Sequence, residues 1–136
     1  MGRILAVDYG TKRSGVAVTD ILQITANGLA ALPTAELLDF LDNYCRTEDV
    51  EEIVLGYPTH ADGTPTFLVD AILKLKAELE KRFSDIPVIL HDERFTSVEA
   101  KAVILKSGAK KKKRRDKSLV DKVSAVLILQ DYLGHL

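Results

Sequence analysis

Residues 3–10 read Arg-Ile-Leu-Ala-Val-Asp-Tyr-Gly, an apolar run that ends in a carboxylate and a glycine. A short apolar run closed by a turn signal is typical of a strand buried on both faces, so we predict the central strand of a sheet here. Asp8 then lies at the carboxyl edge of that strand, where a charge needs a cation or hydrogen-bond donors nearby. This placement indicates metal or phosphate chemistry at Asp8, and an Asp that merely initiates a turn is the alternative.

The next residues return the chain as a second strand. Gly10 permits a tight turn, and residues 11–13 (Thr-Lys-Arg) place a hydroxyl and two cations beside Asp8. Residues 14–19 (Ser-Gly-Val-Ala-Val-Thr) predict the partner strand of a hairpin.

Length and composition predict one domain over residues 1–136, with 46% hydrophobic and 29% charged residues. No apolar stretch reaches the ~18 residues of a membrane span, and the first residues lack a signal-peptide pattern. Cys45 is the single cysteine and falls in a helical apolar pattern, so we interpret it as a core residue of a cytoplasmic protein.

The charge is distributed unevenly along the chain. Residues 110–117 carry seven cations and one acid, a local charge of +6, so a net charge of -1 leaves -7 on the rest. A dense basic run on an acidic body favours a polyanionic partner, and a solvated loop without a ligand is the alternative.

The remaining apolar patterns predict the other elements. Strands are predicted at residues 52–56 and 86–90, with a weaker one within 23–32. A first helix is predicted with Thr34 as its N-cap and an apolar face at residues 37–45. Further helices are predicted over residues 66–82, over residues 96–106 and from Ser118 onward. The first strands are joined as hairpins and the later ones are joined through helical crossovers. This order predicts an α/β fold with a mixed five-stranded sheet and helices on both faces.

Three acidic residues occupy informative positions. Asp8 ends the first strand, Glu93 follows the last, and Asp121 is expected in the first turn of the final helix. Functional groups gather at the carboxyl ends of parallel strands, so Asp8 and Glu93 should share an edge, which the final helix would cross. Three carboxylates without a His/Cys cluster suit Mg²⁺ or Mn²⁺, which can position water at a phosphodiester.

Each acid also has a structural alternative. Ser118 and Asp121 fit a capping box, and Glu93 can pair with Arg94 or Arg82 at the surface. We interpret Asp92, on the opposite face of its strand, as structural, and His91 as a hydrogen-bonded residue at a strand end.

Residues 8–11 (Asp-Tyr-Gly-Thr) also resemble the first phosphate loop of sugar-kinase and actin-type ATPases. Those proteins bind nucleotide between two such domains, and 136 residues supply one. A nucleotide phosphotransferase is therefore an alternative that the length disfavours.

Taken together, the motifs resemble the YqgF/RuvX-type family of RNase H-like Holliday-junction resolvases and pre-16S ribosomal RNA processing nucleases. The match spans nearly the whole chain and depends on DYGTKRSGVA (8–17), GYP (56–58), DGT (62–64), HDERFT (91–96), VD (120–121), SA (124–125) and LIL (127–129). The resemblance implies an RNase H-like fold with Asp8, Glu93 and Asp121 as the catalytic ligands of Mg²⁺ or Mn²⁺.

The resemblance also gives the cations a role. The basic segment, which comprises Lys110, Lys111, Lys112, Lys113, Arg114 and Arg115, would close over a nucleic-acid backbone beside Asp121. We expect further phosphate contacts from Lys12, Arg13, Arg94 and Lys122.

These expectations favour a metal-dependent nuclease acting on structured RNA or branched DNA, with 5'-end processing of pre-16S ribosomal RNA preferred. A Holliday-junction resolvase and a non-catalytic RNA-binding module of ribosome maturation are the alternatives. Aromatic residues are 6% of the chain and form no spaced stacking platform, so no base-reading surface is predicted. We expect a monomer or a weak homodimer.

Overall fold

The central strand, β1 (Arg3–Asp8), has a neighbour on each side in a five-stranded sheet. The computed structural model describes residues 2–57, 66–92 and 117–134. The other strands are β2 (Arg13–Thr19), β3 (Ala26–Pro33), β4 (Val50–Tyr57) and β5 (Val88–Asp92), in the order β3-β2-β1-β4-β5. β2 is antiparallel to β1 and β3, whereas β4 runs parallel to β1 and β5. The predicted mixed sheet is confirmed.

Helices cover both faces of this sheet, as predicted. α1 (Leu37–Thr47) and α2 (Thr66–Arg82) pack on one face and α3 (Lys117–Leu133) on the other. The alternation of side chains along β1 separates the two cores: Leu5 and Val7 join α1 and α2, and Ile4 and Ala6 join α3. No helix in the described ranges is long and apolar enough to cross a membrane.

Four predicted strands have different bounds in the structure, and the difference is largest for β3, β4 and β5, since β2 begins only one residue earlier than predicted. β4 extends beyond the predicted 52–56 at both ends. β5 begins at Val88 rather than Ile86, because the Ile86 N–H donates to the carbonyl oxygen of Phe83 in a turn, at 3.2 Å. α2 has the predicted bounds, and the helix predicted over 96–106 lies outside the described residues.

Thr34 is not the N-cap that the sequence predicted. Pro33 precedes a 3₁₀ turn (Thr34–Glu36) that leads into α1, and no side chain caps that turn. The Thr34 hydroxyl donates instead to the carbonyl oxygen of Gly10, at 2.7 Å. A long-range contact thus replaces the local one.

α3 begins one residue earlier than predicted, at Lys117, so Asp121 lies in its second turn rather than its first. A capping box needs its Ser or Thr just before the first helical residue, whereas Ser118 is the second residue of the helix. The start of α3 at Lys117 therefore disfavours the capping-box alternative for Asp121.

Cys45 is half-buried in α1 and packs against the core, as predicted. Burial raises the pKa of its thiol to about 11. Because the thiolate is the reactive form, Cys45 is a packing residue at neutral pH.

Candidate active site

Three strands end at one edge of the sheet, because β1, β4 and β5 run in the same direction. Their last residues are Asp8, Tyr57 and Asp92. Glu93 and Arg94 follow β5 in the chain and lie outside the described residues. The structure places Asp8 at the predicted edge, and the position of Glu93 stays a prediction.

Asp8 belongs to the side of the sheet that α3 covers. Side chains alternate along a strand, and both Ile4 and Ala6 join the core beneath α3. Asp8 is half-buried, and Gly15 of β2 lies directly opposite it.

Asp121 reaches the same place from the other end of the chain. A Cβ atom built on Gly15 would lie 2.0 Å from the backbone carbonyl oxygen of Asp121, so α3 rests directly on β2 at this point. Asp8 pairs with Gly15, and the Asp121 backbone lies against Gly15, so the backbones that carry two of the three predicted acids lie on opposite sides of one glycine.

Arg13 forms a salt bridge with Asp121. Its Nε donates to Oδ2 of Asp121 at 3.3 Å, with side-chain exposures of 35% and 22%. Pairs this exposed contribute about 0–1 kcal/mol to stability, so the pair matters more for local charge than for the fold. Arg13, predicted as a phosphate contact, thus lies beside a predicted metal ligand.

Three hydrogen bonds form a closed ring, here named the Gly10 ring, that holds the loop between β1 and β2. The Thr34 hydroxyl donates to the Gly10 carbonyl oxygen at 2.7 Å, and the Gly10 N–H donates to Ser14 Oγ at 3.3 Å. The two hydroxyl oxygens are 2.8 Å apart, and because the Thr34 proton is already used, Ser14 donates between them. The ring fixes the loop that carries Lys12 and leads into Arg13, the first residue of β2.

The sequence patterns did not reveal the roles of Ser14 and Thr34. Ser14 is fully buried at the start of an apolar strand, next to a turn. A buried hydroxyl needs a hydrogen-bond partner, so a serine at this position of the pattern could have indicated the role of Ser14.

An open depression of about 430 Å³ adjoins the Gly10 ring. Its lining residues are Gly10, Thr11, Lys12, Arg13 and Asp121. The structure therefore brings two of the predicted phosphate contacts, Lys12 and Arg13, to the acidic site. Two cations beside a carboxylate suit a phosphate group held next to a metal ligand.

Lys122 lies over a different part of the sheet. Its side chain is exposed, and its aliphatic stem passes over Gly28 of β3, where a built Cβ would be 3.4 Å from Lys122 Cβ. Lys122 therefore lies at the β3 side of the site, and its contact with phosphate stays a prediction.

The donor chemistry of Asp8 and Asp121 fits a divalent ion, because carboxylate oxygens are the ligands that Mg²⁺ and Mn²⁺ prefer. Within the described ranges, which omit Glu93, no group of three or more His, Cys, Asp or Glu side chains is placed to hold a metal. The basic segment lies outside those ranges too.

A second polar cluster ties β5 and β4 to the end of α3. His91 Nε2 is 2.7 Å from Oδ2 of Asp131, and its ring meets Tyr132 edge-on at 5.6 Å. The Tyr132 hydroxyl donates to Glu52 at 3.0 Å. The interpretation of His91 as a hydrogen-bonded residue at a strand end is confirmed.

Comparison with known structures identifies the fold. RuvC of Thermus thermophilus in complex with a Holliday junction substrate superposes with a TM-score of 0.58 at 15% identity, over 98% of this chain and 97% of that chain. A second structure of Thermus thermophilus RuvC gives 0.56 at 13% identity, over 97% and 96%. At this identity the similarity shows the fold alone, which is the RNase H-like α/β fold that the sequence predicted.

Comparison of sequences identifies the family. The family described as "RuvX: Holliday junction resolvase" matches residues 2–135. A Phocaeicola vulgatus protein named "Putative pre-16S rRNA nuclease" is 51% identical over 133 residues, 98% of this chain and 96% of its own. A Porphyromonas gingivalis protein of the same name is 51% identical over 135 residues, 99% of this chain and 98% of its own. The chain therefore belongs to the RuvX family of nucleases.

Proposed function

We propose that this protein is a metal-dependent nuclease that cleaves phosphodiester bonds in structured nucleic acid. The observation that supports the proposal is the close approach of the Asp121 backbone to Gly15, the residue that pairs with Asp8, beside a depression that Lys12, Arg13 and Asp121 line. Paired carboxylates suit a divalent ion, and the two cations suit a phosphate group.

The proposed ligands are Asp8, Asp121 and Glu93, and the ion is Mg²⁺ or Mn²⁺. When bound, such an ion lowers the pKa of a water and stabilises charge on the leaving oxygen of a phosphodiester. Lys12 and Arg13 would bind phosphate oxygens that do not react. The Gly10 ring would hold the backbone at Lys12 and at the start of β2, from which both cations extend.

Contacts beyond the cleaved phosphate are assigned to the other cations. Arg94, Lys122 and the basic segment would bind the backbone of the nucleic acid, a role that depends on charge rather than on base sequence. A monomer suffices for one cut, whereas a resolvase acting on a two-fold junction requires a dimer.

The favoured substrate is the 5' end of pre-16S ribosomal RNA. Relatives that share half of this sequence over nearly its full length carry names that refer to that RNA. The description of the family supports a Holliday junction as the second candidate. The first assignment places the protein in the cytoplasm, where bacterial ribosomes are assembled.

Cleavage assays with purified protein test the proposal. Wild type is incubated with Mg²⁺ or Mn²⁺ and either labelled precursor ribosomal RNA or a four-way DNA junction. We expect wild type to cleave the RNA, and Asp8→Asn and Asp121→Asn each to lower the rate by at least about 100-fold. Asp39→Asn, an exposed acid on α1 across the sheet, is the matched control and should cleave as wild type does.

Other outcomes distinguish the alternatives. Cleavage of the junction alone would assign the resolvase activity instead. Salt-sensitive RNA binding without metal-dependent cleavage would identify a non-catalytic RNA-binding module. Full cleavage by Asp8→Asn would show that the catalytic site lies elsewhere.

A further inference from the structure

We propose that Gly15 is a positioning residue, whose lack of a side chain lets the backbone of α3 at Asp121 approach the sheet opposite Asp8. The inference rests on the proposed function, because it concerns how the two acids come to share one ion. Gly15 itself touches no substrate and supplies no ligand atom. Its contribution is the absence of a Cβ atom where the backbone of α3 lies against β2.

The geometry at Gly15 leaves no room for a methyl group. A built Cβ would lie 2.0 Å from the carbonyl oxygen, 2.5 Å from the carbonyl carbon and 3.2 Å from the Cα of Asp121. All three are backbone atoms of a helix, so they cannot move aside as a flexible side chain would. An ordinary contact would require α3 to withdraw by more than about an ångström.

Backbone conformation does not explain the glycine. Among the glycines in the described ranges, only Gly134 has a positive φ, of 80°. Gly15 is in a regular part of β2 and pairs with Asp8 on one side and Ala31 on the other. Alanine could adopt this backbone, and the three atoms nearest to its Cβ would all belong to the backbone of Asp121.

A withdrawal of α3 at Asp121 would separate the two acids without dismantling the core. The buried residues Ala125, Ile128 and Leu129 hold the rest of the helix on the sheet, one turn and more beyond Asp121. The helix would tilt at its beginning, and Asp121 would move away from Asp8. A displacement of about an ångström at a catalytic group can cost about 100-fold in rate.

Gly28 provides a matched control on the neighbouring strand. It faces the same helix, and its built Cβ would lie 3.4 Å from Lys122 Cβ, an ordinary contact with a flexible side chain. Gly15→Ala and Gly28→Ala make the same chemical change, and both stiffen a strand to a similar extent. They differ in whether the helix backbone must move.

The experiment compares Gly15→Ala and Gly28→Ala with wild type in three measurements: Mn²⁺ affinity by calorimetry, kcat and KM for cleavage, and a thermal melt without metal. We expect Gly15→Ala to retain a cooperative melt, to bind Mn²⁺ about tenfold more weakly and to lose about 100-fold in kcat, with KM nearly unchanged. Gly28→Ala should stay within about twofold of wild type in all kinetic and binding values.

A compensating variant separates positioning from structure. In Gly15→Ala, Asp121→Glu lengthens the side chain by one methylene and should recover part of the lost Mn²⁺ affinity, whereas in wild type the same change should lower that affinity. Wild-type Mn²⁺ affinity in Gly15→Ala, loss of its cooperative melt, or failure of Asp121→Glu to compensate would each overturn the inference. If wild type itself neither binds Mn²⁺ nor cleaves, the proposed function fails instead.

Discussion

The guanidinium of Arg13 competes with any cation that approaches Asp121. Its Nε is already 3.3 Å from Oδ2, one of the two oxygens with which this carboxylate could bind an ion. A divalent ion must therefore displace this contact or accept a positive charge beside it. In either case we expect Arg13 to lower the affinity of the proposed site for metal and, once displaced, to be available to a phosphate group.

Replacement of Arg13 tests this competition. We expect Arg13→Gln to bind Mn²⁺ about three- to tenfold more tightly, because a nearby like charge is removed from a half-exposed site, and to bind nucleic acid more weakly. Calorimetry with Mn²⁺ measures the first effect. Arg46→Gln on α1 changes the net charge equally and should leave Mn²⁺ affinity unchanged. Weaker Mn²⁺ binding by Arg13→Gln would contradict the competition.

At the residue scale, the places of Asp8 and Asp121 in the fold could be predicted better than the contacts of Arg13 and Thr34, whereas the role of the acids as ligands stays a prediction. Asp8 and Asp121 could be predicted because each stands at a definite position of a strongly patterned element. The partners of Arg13 and Thr34 could not, because they lie 108 and 24 residues away along the chain. Which hydroxyl reaches which carbonyl depends on how strands and helices dock, and local patterns do not contain that information.

At the scale of elements, the Gly10 ring joins the β1–β2 loop to the start of the turn before α1. Each of its three groups donates once and accepts once, so no member can be removed without leaving another unpaired. Ser14 is fully buried, so the loss of its partner would leave a buried hydroxyl without a protein acceptor.

Thr34→Val removes the hydroxyl with little change of shape. The Gly10 carbonyl then loses its donor and Ser14 loses its acceptor, so we expect the free energy of unfolding to fall by about 1–3 kcal/mol in urea denaturation. Thr47→Val is the control, because the exposed Thr47 bonds only within the end of α1 and should change stability by less than about 0.5 kcal/mol. Equal losses in both variants would mean that the ring contributes nothing of its own.

Element boundaries followed the sequence where periodicity is long and regular. α2 has the predicted bounds, because an amphipathic stripe over seventeen residues is a strong pattern. The start of β5 was wrong by two residues, because the apolar Ile86 is used in a turn rather than in the sheet. Apolarity alone cannot distinguish the two uses.

At the scale of the whole molecule, the charge pattern and the fold act together. The chain outside residues 110–117 carries a net charge of -7, which repels a nucleic acid, and those residues carry +6. They lead into α3, which begins at Lys117 and carries Asp121 one turn later. We therefore expect the attraction of phosphates to be concentrated in the residues that precede Asp121 along the chain, and this role of the basic segment stays a prediction.

The salt dependence of binding tests this arrangement. Lys111, Lys112 and Lys113 are replaced by Gln in one variant, and Lys74, Lys76 and Lys81 on α2, across the sheet from α3, in another. Each phosphate contact contributes about 0.7–0.9 to the slope of log Kobs against log salt, so the first variant should lower the slope by about 2 and the second by less than about 0.5. Both variants lose the same charge, and a non-specific attraction to the whole molecule would lower both slopes equally.

The difference between the two slopes is measured by filter binding of precursor RNA at salt concentrations from about 50 to about 200 mM. Equal slopes in the two variants would exclude the basic segment as the binding element, even if overall affinity fell in both.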